Sequence, residues 1–335
     1  MRAFVIDKYG GPETTSLRDV AEPEPGAGEV RVRVHAAGLN PVDWKTRQGA
    51  IRVVHTTRFP AVLGNEFAGV VESSGPGATR FRPGDRVIAR VKKGTMGAFA
   101  EVACIDESLV ALAPTSVDLV TAAAIPLAGL TALQAVRDEL RVGPGTNLFV
   151  SAGAGGVGTF AIQIAKRLGA TVTTTASPRG EALVKGLGAD RVIDYTKEKF
   201  EDVLRDMDCA FDLVGGETLT KTFGIVKRGS TVVSVAGVPE PETATKDLER
   251  PGLVPLFWLA SAGLRHRARK AGVTYRYLFM HPSGTELAEL VAMVDAKELR
   301  PVVDKVFPFE DMADAMAYLE KGTAKGKVLV RMGNA

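Results

Sequence analysis

Apolar and polar residues alternate along this chain with two different periods, and the change of period divides it. In Glu29-Val30-Arg31-Val32-Arg33-Val34-His35 every second residue is apolar, the signature of a strand with one face on a core. Phe67 to Glu72, Arg86 to Arg90 and Phe99 to Ala103 have the same character. Glu24-Pro25-Gly26, Gly75-Pro76-Gly77 and Arg82-Pro83-Gly84-Asp85 separate such runs as turns, so the first ~120 residues predict an antiparallel β region.

Near Asp118 the pattern turns helical: Leu119, Ala122 and Ala123, then Leu127, Leu130, Leu133 and Val136, up to a break at Gly143-Pro144-Gly145. Strands are then predicted at Asn147 to Ser151, Thr171 to Thr175, Arg191 to Asp194, Cys209 to Val214 and Ser230 to Val235. Helix-period segments lie between them, which predicts an α/β fold with a doubly wound parallel sheet. From Pro239 to Gly272 no period survives, and the stretch reads as a long surface excursion. Its Leu256, Phe257, Trp258 and Leu259 suit either an apolar acceptor pocket or a partner subunit. Leu287, Leu290, Val291 and Val294 mark one further helix, Ala313, Met316 and Ala317 another, and Lys327 to Arg331 a final strand.

The sharpest local signal is Ala152-Gly153-Ala154-Gly155-Gly156-Val157-Gly158, preceded by the strand Asn147 to Ser151. Phe160, Ala161, Ile164, Ala165 and Leu168 follow as one helical face. Strand, glycine turn and helix in this order form a dinucleotide site: Gly153 permits the tight turn, Gly155 lets backbone approach a pyrophosphate, and Gly158 allows close packing. Amides at the helix start, with Gly156 and Val157 in the turn, and the positive end of the helix dipole then favour phosphate.

An NAD-selective site places an acidic residue after the second strand to bond the ribose hydroxyls. Here Thr171 to Thr175 ends in Ala176-Ser177-Pro178-Arg179-Gly180. Ser177 supplies a hydroxyl, and Arg179 a planar guanidinium suited to a 2′-phosphate, so the expected cofactor is NADPH.

Composition narrows the class further. With 335 residues, 45% hydrophobic and 24% charged, the chain can form two cored domains. A net charge of +3 is spread thinly, and the basic run Arg265 to Lys270 has no interleaved aromatics, so nucleic acid is a poor fit. No apolar run reaches the ~20 residues of a membrane helix, and Met1 to Gly11 lacks the pattern of a secretory signal, which predicts a cytoplasmic protein. Cys104 and Cys209 alone can build neither a disulfide framework nor a thiolate metal cluster. Cys209 opens an apolar run and reads as a buried hydrophobe.

Taken with Gly38-Leu39-Asn40-Pro41-Val42-Asp43, Leu63-Gly64-Asn65-Glu66-Phe67-Ala68-Gly69, Arg82 to Val87, Pro126 to Ala132 and Leu187-Gly188-Ala189-Asp190, the chain resembles the medium-chain dehydrogenase/reductase superfamily. The resemblance is to its zinc-free quinone oxidoreductase branch and spans essentially the whole sequence. It implies a Rossmann-type NADPH-binding domain at 123–265, and a GroES-like, mainly β catalytic domain at 1–122 with a return at 266–335. The zinc branch has a Cys where this chain has Asn40 and a His where it has Asn65, and the histidines 35, 55, 266 and 281 show no metal spacing, so no metal is expected.

The resemblance also implies site residues. Asn40 and Asp43 would lie near nicotinamide and substrate, and Thr131 near the nicotinamide ribose or carboxamide. Ser177, Arg179 and Tyr195 match the positions that hold the 2′-phosphate and adenine. Ala236 and Gly237 match backbone facing the nicotinamide, and Phe279 with Thr323, Ala324 and Lys325 match further cofactor contacts. Asn40 and Lys45 are candidate donors to a developing oxyanion. The implied reaction is hydride transfer to a small-molecule hydrophobic quinone or enone in a homodimer, and a bulky acceptor would fit. Enoyl-thioester reduction on the same scaffold, and an NADPH- or RNA-binding protein without turnover, are the competing readings.

Overall fold

The computed structural model describes residues 1–54 and 56–333; His55 lies outside the described residues. The chain forms two compact units, Met1–Leu130 with Pro282–Ala335, and Thr131–His281.

The first unit is mainly β. Its larger sheet runs Val303–Pro308, Lys327–Arg331, Glu29–Leu39, Glu66–Ser74, Arg86–Arg90, Val110–Leu112, and Val102–Asp106 also pairs with Glu29–Leu39. Alternation in Glu29–Leu39 puts Val30, Val32 and Val34 into a core with Phe67, Phe99 and Phe309. A smaller sheet joins Thr15–Asp19, Arg2–Ile6 and Ala61–Val62. The strand expected at Phe99 to Ala103 is displaced to Val102–Asp106. Phe99 and Ala100 are instead drawn to the first strand: the Phe4 amide donates to the Phe99 carbonyl, and Ala3 bridges Ala100.

The second unit holds six parallel strands: Asn147–Val150, Thr171–Ala176, Arg191–Asp194, Cys209–Asp212, Thr231–Ser234 and Thr274–Tyr277. Numbered in that sequence, they lie in the order 3-2-1-4-5-6, the doubly wound Rossmann arrangement. Phe149 stacks on Phe200 with ring centroids 4.9 Å apart, within an apolar layer that includes Leu219, Phe223 and Tyr275. All six strands end on the same edge of the sheet, where ligands of such folds bind.

Three sequence expectations change. Residues 266–281 belong to the second unit and not to a returning catalytic segment, because Thr274–Tyr277 pairs in parallel with Thr231–Ser234 as the sixth strand. Residues 123–130 belong to the first unit, where the Leu127 amide donates to Glu66 and Gly129 lies against Leu290. The stretch read as irregular, 239–272, contains helices Val254–Ala260 and Ala262–Ala271. Pro255 sits in the first turn of the former, where a missing N–H costs nothing. Ala268 faces the core beside the half-buried Leu264 and Ala271, while the charged outer face of the latter masked its period.

Candidate functional site

Each unit carries a polar constellation that bears on function. In the second, the turn after Asn147–Val150 leads into helix Gly156–Arg167, whose first backbone amides point outward unpaired by the helix itself. The three glycines of the motif have different causes. A Cβ on Gly153 would lie 2.2 Å from Thr174 Oγ1, so the turn packs on the neighbouring strand. One on Gly158 would lie 2.6 Å from the Ala152 carbonyl oxygen and 2.7 Å from Gly153 Cα. Gly155 is unlike both. Its backbone (φ −80°, ψ 172°) suits any residue, and a Cβ there would meet only the Ala152 oxygen, at 3.4 Å. The fold does not require this glycine, and the space beside it at the helix start is open to a close-lying ligand. That is the fit expected of a pyrophosphate.

Ser177, Arg179, Tyr195, Ala236, Gly237 and Phe279, also expected at the cofactor, follow strand ends at the same sheet edge. Ser177 caps helix Pro178–Gly186 directly after the second strand, and Arg179 is exposed in its first turn, with no carboxylate partner among the described residues. Tyr195 follows the third strand and is 59% exposed. Ala236 and Gly237 follow the fifth, and Gly237 lies close under the Tyr275 hydroxyl. Phe279 follows the sixth, its amide donating to Asp247 Oδ2 at 2.9 Å. Thr131 is buried within helix Pro126–Leu133. Thr323, Ala324 and Lys325 lie in the first unit, in the turn before Lys327–Arg331.

Sequence reading missed Asp212, the fully buried last residue of the fourth strand. Its carboxylate accepts from Ser234 Oγ at 2.7 Å, Ser151 Oγ at 3.3 Å and the Gly215 amide at 2.9 Å, tying together the ends of three strands. Burial raises its pKa against those hydrogen bonds. A lone acid ending the apolar run Cys209-Ala210-Phe211 was the available signal.

The first unit's constellation is a buried set of four charges and two amides. Asn40, Asp43, Asn65, Glu66, Arg90 and Lys327 are each at most 6% exposed. The Lys327 ammonium donates to Glu66 Oε1 at 2.7 Å, to the Leu39 carbonyl at 3.0 Å, and to Asn40 Oδ1. Asn40 Nδ2 donates to Glu66 Oε1 at 2.7 Å and to the Gly38 carbonyl at 3.3 Å. Asp43, in the first turn of helix Pro41–Arg47, accepts from the Asn40 amide at 2.7 Å and from Asn65 Nδ2 at 2.6 Å. Burial pushes the Asp43 carboxyl up to about 7, although the bonds from Asn65 and Asn40 and the Lys327 charge pull it down.

This geometry changes the expectation for Asn40. Both amide hydrogens are spent inside the protein, on Glu66 and Gly38, so the side chain has none left for an oxyanion; it braces Lys327 against Glu66. The donor set also does not fit zinc, because an ammonium holds the Asn40 oxygen and a carboxylate holds Asn65. Among the described residues no group of three or more His, Cys, Asp or Glu is placed to hold a metal ion. Lys45 is half-buried, its ammonium 5.6 Å from the Trp44 ring centroid, and burial lowers its pKa. Glu66, Arg90 and Lys327 were not singled out from the sequence.

Comparison with known proteins adds independent findings. A family model described as "Alcohol dehydrogenase GroES-like domain" matches residues 26–115, and one described as "Zinc-binding dehydrogenase" matches residues 187–330. The chain is 35% identical to the NADPH-dependent alkenal/one oxidoreductase, chloroplastic, of Arabidopsis thaliana, over 98% of this chain and 79% of the relative. It is 34% identical to the NAD(P)H oxidoreductase RTN4IP1, mitochondrial, of Danio rerio, over 98% of this chain and 91% of the relative. The solved structure of the quinone oxidoreductase from Coxiella burnetii superposes with a TM-score of 0.87 at 30% identity, covering 99% of both chains.

Proposed function

Because this chain belongs to the medium-chain dehydrogenase/reductase superfamily, among its quinone oxidoreductase-like members, we propose that it is an NADPH-dependent reductase of enones or quinones. The observation that carries the reading is Gly155, a glycine that the fold does not require, at the start of the helix that follows the glycine turn. When bound there, NADPH supplies a hydride. The chain's residues hold its pyrophosphate on the amides of Gly156 to Gly158, the Gly155 amide being spent on the Ala152 carbonyl, and Ser177 with Arg179 takes the 2′-phosphate. Tyr195, Ala236, Gly237, Phe279, Thr131 and the turn Thr323 to Lys325 supply the remaining cofactor contacts.

Positioning replaces metal polarisation. Holding donor and acceptor at near-attack distance is worth roughly 7–11 kcal/mol. The buried set around Asp43 and Glu66 gives the first unit a rigid polar floor, and Lys45 offers an unspent half-buried donor. The acceptor is a small-molecule hydrophobic carbonyl compound or quinone. No helix is long and apolar enough to cross a membrane among the described residues. The reading keeps the cytoplasm as the compartment, in keeping with two free cysteines. It also keeps a homodimer as the assembly, for which Thr274–Tyr277, an edge strand, offers an open side.

The test is NADPH oxidation, followed by the loss of its reduced-nicotinamide absorbance, with quinones, short enones and enoyl thioesters in parallel. Turnover of enones or quinones is expected; turnover of thioesters alone moves the assignment to thioester reduction. NADPH binding without any turnover refutes the enzyme reading.

A further inference from the structure

We propose that Arg90 receives the oxygen of the acceptor as negative charge develops on it, an inference that rests on the reductase reading above. Arg90 ends strand Arg86–Arg90, directly across the sheet from Glu66. It is 6% exposed. Such a guanidinium is ordinarily paired with a carboxylate, because an uncompensated buried charge is costly. Here the pairing is missing. Both oxygens of Glu66 are taken by Lys327, Asn40 and Leu127, and both oxygens of Asp43 by Asn65 and Asn40.

Arg90 spends only one of its nitrogens: Nη1 donates to the carbonyls of Asn65, at 3.3 Å, and Val91. Its Nε is buried without a partner, and Nη2 makes no hydrogen bond to any described residue. Burial lowers its pKa to about 10, so the group stays cationic at neutral pH. Glu66 and Asp43 steady that charge from a distance without occupying its donors. A cation with unspent donors next to Asn65, one residue from Glu66, is built to accept an oxygen that arrives with the substrate.

The chemistry matches. When hydride adds to the β-carbon of an enone, the alkene pair shifts toward the carbonyl carbon and the carbonyl pair moves onto oxygen. The acceptor gains two electrons, and the enolate oxygen carries the charge until water protonates the α-carbon and leaves hydroxide. A quinone gains the same two electrons with the charge on a phenolate-type oxygen. Two parallel N–H donors, Nε and Nη2, suit either oxygen.

The test uses the whole enzyme. Arg90→Met should lower kcat for an enone by about 100-fold, the usual loss of an oxyanion donor, while NADPH affinity stays within about 2-fold. Millimolar guanidinium ion should restore part of that loss, which a merely structural role would not allow. A second readout needs no turnover: 4-nitrophenol bound to the NADP⁺ complex should ionise at lower pH than in water, and Arg90→Met should abolish the shift. Arg90→Gln, which keeps a neutral donor for the Val91 carbonyl, carries the same measurements if the methionine variant does not fold. The inference is overturned if kcat stays within about 3-fold of wild type, if guanidinium restores nothing, or if wild-type enzyme leaves nitrophenol ionisation unchanged. Absence of turnover in the wild type sinks the reductase reading, while the nitrophenol measurement still decides Arg90.

Discussion

Replacing Gly155 and Gly158 by alanine, one at a time, separates binding from folding. At Gly155 the added methyl meets only the Ala152 oxygen at 3.4 Å, and the φ of −80° is ordinary for alanine. The structural cost is then the weaker N-cap preference, about 0.5–1 kcal/mol, or roughly 1–4 °C in Tm for a unit of this size. The same methyl projects into the space where phosphate oxygens would meet the helix amides. Losing one charge-assisted bond of about 1.5–3 kcal/mol raises the NADPH Kd about 10–100-fold. At Gly158 the methyl falls 2.6–2.8 Å from backbone atoms of Ala152 and Gly153, none of which can swing aside. Overpacking of that kind costs about 1–3 kcal/mol and lowers Tm by roughly 2–12 °C. Differential scanning fluorimetry and titration of NADPH fluorescence read the two quantities on the same samples. A Gly155→Ala protein that binds NADPH within about 3-fold of wild type would refute the claim that this glycine answers to a ligand.

Arg179→Ala should weaken NADPH about 10-fold or more and leave NADH unchanged, because only the former brings a phosphate to the guanidinium; the ratio of the two Kd values is the measurement. For Asp43 the folded-state carboxyl titrates near 7, above its ordinary value of 3.8, so between those limits the native state holds a proton that the unfolded chain lacks. Its contribution to stability is full below that window and falls as pH rises through it, and Asp43→Asn should flatten this part of a Tm-against-pH curve. An unchanged slope would place the titration elsewhere. Lys327→Met strips Glu66 and Asn40 of their cation and should cost about 3–5 kcal/mol by urea denaturation, with Glu66→Gln in the same chain recovering part of it.

The cofactor turn was legible because its chemistry is local: a strand, the glycines and a helix within Asn147 to Arg167 state the whole motif in consecutive residues. The other constellation is assembled from Asn40, Asn65, Arg90 and Lys327, with 287 positions between its first and last members. Lys327 looked like the polar first residue of a strand, and nothing nearby in sequence hints that it is buried. The sixth parallel strand was hidden differently. Thr274-Tyr275-Arg276-Tyr277 has a charge where an interior strand should be apolar, yet Arg276 is buried and held by Glu139, Glu240 and Asp247. Two of those carboxylates, Glu240 and Asp247, come from the stretch that the apolar pattern left unassigned. Periodicity finds faces that bury hydrocarbon; it is blind to faces that bury matched charge.

The chain's first unit is interrupted, closed only by residues after Pro282, whereas Thr131–His281 is continuous. During synthesis from the N-terminus the nucleotide-binding unit is therefore complete while the other still lacks helices Gly284–Asp295 and Met312–Glu320 and strands Val303–Pro308 and Lys327–Arg331. Until Lys327 emerges, Glu66 lacks the ammonium that donates to its Oε1, and burying it without that bond is costlier. Completion of the polar floor thus waits on the last strand, which carries Lys327.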